Sequence, residues 1–172
     1  VFDESEKMPA LVCGLDTQGR GIFHGIDSIT SINDTTITLN RYDQKAWGMY
    51  LVFSKNWNLL GNLGIHGGIS KSLSENDDGD NDINLFFGFD KELNRSFSLL
   101  VEYDAALNDN LEQNNYRFDD ITFGKGKGYL NAGIRWAMSS NLMLEINFND
   151  INQNTNSEYT NREIKVMYSE SF

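Results

Sequence analysis

Apolar residues recur at every second position through most of this 172-residue chain. That period limits the fold more than any other feature, because it belongs to β-strands and not to helices, whose repeat is 3.6 residues. In 59–70, Leu59, Leu63, Ile65 and Ile69 share a face with Gly61 and Gly67, and Asn62, Gly64, His66, Gly68 and Ser70 share the other. Ile83, Leu85, Phe87 and Phe89 oppose Asn84, Phe86, Gly88 and Asp90. Phe97, Leu99, Val101 and Tyr103 oppose Ser98, Leu100, Glu102 and Asp104. Leu130, Ala132, Ile134 and Trp136 oppose Asn131, Gly133 and Arg135, and Leu142, Leu144, Ile146 and Phe148 oppose Met143, Glu145, Asn147 and Asn149. Segments 46–55 and 9–17 alternate less cleanly, and 162–172 alternates to the last residue. These eight strands imply one all-β, antiparallel domain over 1–172.

The connections fall into two classes. Residues 54–58, 91–96 and 138–141 read as tight turns bearing Asn and Ser. Residues 18–45, 71–82, 106–128 and 150–161 read as long polar stretches. Short and long alternate after the first strand, which is the plan of an up-and-down transmembrane β-barrel with its long loops on the outer side. A mean hydropathy of −0.45 does not oppose a membrane, because alternating strands average out as polar.

The last strand carries Ile164, Val166, Tyr168 and Phe172 at alternate positions. An alternating strand ending on Phe resembles the closing strand of a bacterial outer-membrane barrel, where it serves as the insertion signal read by the barrel-assembly machinery. Glu170 departs from the apolar residue usual at its place. Aromatics cluster near strand ends. Phe53, Trp57, Phe89, Phe97 and Trp136 are expected at one interface, and Trp47, Tyr103, Tyr129 and Phe148 at the other. Val1 to Lys7 reads as the tail of a strand entering a short turn, so the eight strands are expected to be the carboxy-terminal part of a larger barrel. In that case 162–172 leaves 9–17 unpaired.

The stretch Pro9-Ala-Leu-Val-Cys-Gly-Leu-Asp-Thr-Gln-Gly-Arg-Gly-Ile-Phe23, with Tyr50-Leu-Val-Phe-Ser-Lys-Asn56 after it, resembles YjbH-like outer-membrane proteins. The insert 26–40 departs from that pattern, and the rest of the chain matches only as generic barrel. The resemblance implies an association with exopolysaccharide production or export. It implies no catalytic residue.

Charge and motifs narrow the remaining chemistry. Twenty-five acidic against 14 basic residues give a net charge of −11, which argues against nucleic acid as partner. Cys13 is the single cysteine and forms no internal disulfide. The run from Glu75 to Asp82 lacks EF-hand spacing and reads as a solvated outer loop, with weak divalent-cation binding near lipopolysaccharide phosphates as the other reading. Gly124-Lys-Gly-Lys-Gly128 lacks the Walker spacing, and no cofactor is implied. His66 lies on a polar face, with Glu102, Asp104 and Ser98 as candidate neighbours, and a catalytic role there has less support than a structural one. His66, Glu102, Asp104, Arg135, Glu145 and Lys165 are expected to point inward as a polar cluster that fills a small barrel.

The expectation is therefore a non-enzymatic barrel of the bacterial outer membrane, structural or surface-assembling, and linked to exopolysaccharide. Its surroundings would be outer-membrane lipid and lipopolysaccharide, with polysaccharide or other envelope proteins as partners. Two alternatives stay open. One is a barrel enzyme or passive pore, and the other is a soluble secreted β-barrel holding an apolar ligand.

Overall fold

The computed structural model describes residues 1–25, 28–30, 36–38, 40–77, 80–109, 127–154 and 160–170. Its strands in chain order are β1 (Ala10–Asp16), β2 (Arg20–His24), β3 (Ser28–Thr30), β4 (Thr36–Thr38), β5 (Arg41–Gln44), β6 (Gly48–Asn58), β7 (Asn62–Ser72), β8 (Asn84–Glu92), β9 (Phe97–Asp104), β10 (Tyr129–Ala137), β11 (Leu142–Asn149) and β12 (Asn161–Tyr168). Eight of them form one sheet in the order β1-β6-β7-β8-β9-β10-β11-β12, antiparallel throughout. Among the described residues there is no α-helix, only a 3-10 turn at Leu107–Asp109.

The long connection before β6 is not plain loop. It holds two small hairpins, β2 with β5 and β3 with β4. The first of the tight turns also lies elsewhere than expected. Residues 54–58 belong to β6, and the chain reverses at 59–61, where Leu60 and Gly61 have φ of 48° and 95°. Ser54 and Asn56 are polar because they face the polar side of the sheet, not because they turn. Lys91 Nζ caps this reversal, donating to the Leu59 and Leu60 carbonyls at 2.7 and 2.9 Å. The other two turns sit as expected, held by the Asn94 carboxamide and the Ser139 hydroxyl.

Directly paired residues share a face, so the register divides the sheet into two surfaces. Leu51, Phe53, Ile69, Leu85, Phe87, Ile134, Ile146, Ile164 and Val166 lie on one, and all are exposed. Ile164, Val166 and Tyr168 reach 65–68% exposure. The other surface is concave. Residues of β7 through β12 line one cavity of about 570 Å³ on it, joined by Arg20 from β2. The apolar side chains that are buried among the described residues are Ala106 and Tyr129. The sheet thus exposes most of its large apolar residues on one face and gathers its charged residues on the concave one.

The edges are β1 and β12, and among the described residues no ladder joins them. Phe2 forms a two-bond bridge with Leu11 on the free side of β1, at 2.8 and 2.9 Å. Glu4 secures this arm by accepting from the Asn56 side-chain amide at 2.7 Å and the Asn56 N–H at 3.0 Å, with Lys55 Nζ at 3.3 Å. Those bonds, the side-chain amide first, hold the Glu4 carboxyl below its ordinary pKa.

Candidate functional site

The inner face carries two separate side-chain networks. The first spans β10 to β12. Register places Arg135 opposite Glu145 and Glu145 opposite Lys165. Arg135 donates to Glu145 Oε2 through Nε at 2.8 Å and through Nη2 at 2.7 Å. Lys165 Nζ stands 3.5 Å from the other oxygen of Glu145 and 3.3 Å from Glu163, and Asn147 donates to Glu145 at 2.9 Å. Glu145 is 5% exposed, so its charge is tolerable only because cations flank it on both sides.

The second network spans β6 to β8. Ser54 lies directly opposite His66, and His66 opposite Gly88, two residues before Asp90. Ser54 Oγ and His66 Nδ1 are 2.6 Å apart, and His66 Nε2 and Asp90 Oδ1 are 2.7 Å apart. A carboxylate only accepts, so Nε2 of a neutral ring carries the proton and donates it to Asp90. Nδ1 is then an acceptor, and the Ser54 hydroxyl donates to it. Glycine makes room for the chain. A Cβ on Gly64 would collide with Asp90 Oδ1 and come within 3.0 Å of Asn56 Oδ1.

The acids considered for His66 from sequence are elsewhere. Asp104 accepts from Asn84 Nδ2 at 2.7 Å and from the Ala106 N–H at 2.9 Å, fixing the start of a loop. Glu102 lines the cavity, exposed and without a hydrogen-bond or ion-pair partner among the described residues. Of the residues expected to form an insertion signal, Ile164, Val166 and Tyr168 sit on the exposed outer face, and Phe172 lies outside the described residues. No family model matches the chain, and no curated protein or solved structure matches it significantly.

At the long-loop end a polar core covers the sheet. Glu75 is fully buried and accepts from the N–H groups of Tyr42, Ala46 and Trp47 at 2.8–2.9 Å. Arg41, also fully buried, donates to the carbonyls of Tyr42 and Asp43. Lys45 donates to the Asp80 carbonyl at 2.8 Å. Glu75 and Asp80 are therefore not part of a solvated loop, since they are buried among backbone amides and polar side chains. Among the described residues no three acidic, His or Cys side chains gather as cation ligands. Tyr129, expected in an exposed aromatic belt, is buried on the inner face opposite Asp104. The Lys127 N–H donates to Asn154 Oδ1, and the Lys127 and Gly128 carbonyls accept from Asn152 Nδ2, whereas 124–126 lie outside the described residues.

Proposed function

We propose that this sheet is the lipid-facing wall of a barrel in the bacterial outer membrane, where it serves as a structural or surface-assembly component. The observation that carries the reading is the distribution of burial: an eight-stranded sheet whose apolar face is exposed along its whole width and whose polar face is concave. In water such a face would drive aggregation, whereas in hydrocarbon it is the expected solvent. Strands of up to 11 residues suit the bilayer core at the usual tilt. Trp57, Phe97 and Trp136 near the short turns, with Trp47, Tyr103 and Phe148 toward the long loops, suit two interfacial girdles. Phe97 and Trp136 stack with centroids 5.7 Å apart. An apolar ligand inside would meet Glu102, Arg135, Glu145 and Lys165 beside Phe86 and Leu100, so the soluble carrier reading has less support.

Lipid cannot satisfy the backbone groups of an open edge. The barrel reading therefore places further strands between β12 and β1. The exopolysaccharide link rests on the resemblance of the first third of the chain.

Cys13 supplies the test. It is the single cysteine, exposed, and on the outer face opposite Leu51. In lipid vesicles it should resist a membrane-impermeant maleimide and react once the protein is unfolded in urea. Rapid modification in intact vesicles, or release of the protein from native membranes by a carbonate wash, would sink the reading.

A further inference from the structure

We propose that Ser54 is an activated nucleophile and that the concave face carries an esterase site for short acyl esters of hydrophilic alcohols. This goes beyond a structural role for the barrel. Its basis is the continuous chain Ser54 Oγ–His66–Asp90 at 2.6 and 2.7 Å. A hydroxyl, a base and an orienting carboxylate in hydrogen-bond sequence are the three parts that nucleophilic catalysis by serine requires. His66 and Asp90 line the cavity, with side chains 40% and 31% exposed, and the half-buried Ser54 adjoins that lining from β6, 2.6 Å from His66 Nδ1.

The ring is used in the reverse sense from the familiar Ser-His-Asp arrangement, in which Nε2 meets the serine. Strand geometry explains the reversal. Nδ1 lies close to the backbone and reaches the short Ser54 directly across β6, while Nε2 at the ring tip reaches the diagonal Asp90 on β8. The acid–base roles are unchanged, because the lone pair faces the hydroxyl.

In the reaction, Ser54 Oγ bonds to the carbonyl carbon as its proton passes to His66 Nδ1. The acyl–oxygen bond then breaks, and the leaving alcohol takes the proton from Nδ1. Water attacks the acyl-Ser54 ester, giving its proton to Nδ1 and its oxygen to the carbonyl carbon. Ser54 Oγ leaves and recovers that proton, so ester and water become acid and alcohol. His66 and Ser54 are the catalytic residues, and Asp90 is a positioning residue. The substrate class follows from the walls. Asn131, Asn147, Asn149, Glu102 and Arg135 suit a hydrophilic alcohol, and the apolar side chains that the inner face adds beside Asp90, Phe86 and Leu100, suit a short acyl chain better than a long one.

The test uses the detergent-folded protein and a fluorophosphonate probe, with the adduct mapped by mass spectrometry and folding checked by circular dichroism. Label on Ser54 is expected, lost in Ser54→Ala and His66→Ala and retained in Ser98→Ala. Asp90→Asn should lower kcat on p-nitrophenyl acetate by about 10⁴-fold with KM little changed. The palmitate ester should turn over at least tenfold more slowly than the acetate. An unlabelled folded wild type, or label that persists in Ser54→Ala, overturns the proposal. A preference for palmitate overturns the substrate class.

Discussion

The two networks on the inner face are built from the same kind of register and end in opposite states. On β10 to β12, Glu145 receives Arg135, Asn147 and Lys165, and its acceptor capacity is filled. On β6 to β8, Asp90 meets one imidazole, the imidazole meets one hydroxyl, and the half-buried Ser54 hydroxyl ends the chain. The first network is closed by opposite charges, which is what stability asks of a buried carboxylate. The second is open at its end, which is what reactivity asks of a nucleophile. Polarity inside a sheet of this kind therefore has two distinct uses, separated by the width of β9.

The largest expected effect comes from breaking the closed network. Glu145→Ala removes the carboxylate between Arg135 and Lys165, leaving Glu163 to pair with Lys165 and nothing among the described residues to pair with Arg135, and should destabilise the fold by about 3 kcal/mol, read as a lower urea midpoint of the detergent-folded protein. Gly64→Ala attacks the open network from beneath. Its methyl displaces Asp90 and should cost about 1–2 kcal/mol, together with a tenfold slower reaction of Ser54 with the fluorophosphonate probe. Combining Asp90→Asn with Glu145→Gln sharpens the contrast, because no side chain is shared. The two stability losses should add to within about 0.5 kcal/mol, and a larger coupling would mean that the networks are one.

Lys165→Ala should cost less than about 1 kcal/mol, since that side chain is 47% exposed and screened by solvent. The smallest effect lies outside both networks. The Glu4 carboxyl is held below its ordinary value, so its contribution is present above pH 4.5 and is lost as pH falls through the depressed value. Limited proteolysis of residues 1–9 should therefore quicken on acidification, and Glu4→Gln should remove that dependence.

Six of the eight main strands were legible in sequence because period two survives in them, whereas 46–55 and 9–17 alternate less cleanly. β2 and β5 were not, because Arg20 to His24 and Arg41 to Gln44 are too short and polar to show a repeat. His66 was legible as an inward residue, but its partners were hidden by a turn placed a few residues early. With the reversal at Leu60, Asn58 meets Asn62 and Ser54 must meet His66. A turn at 54–58 removes Ser54 from the strand altogether. Glu75 was hidden for another reason: an acidic run looks solvated until its neighbours are known, and here three backbone N–H groups fold onto it.

The neighbouring glycines of β7 carry a consequence for assembly. The Phe53 ring from β6 covers Gly67 on the outer face, 2.6 Å from where a Cβ would stand, and the Phe86 ring from β8 covers Gly68 on the inner face. A slip of two residues keeps every side chain on its proper face, so hydrophobicity alone cannot reject it. Here that slip would drive Phe53 onto Ile65 or Ile69, and Phe86 onto His66 or Ser70. Each ring fits a single notch, one cut into either side of the same strand. β7 thus works as a vernier that proofreads the alignment of both neighbours as the sheet zips together.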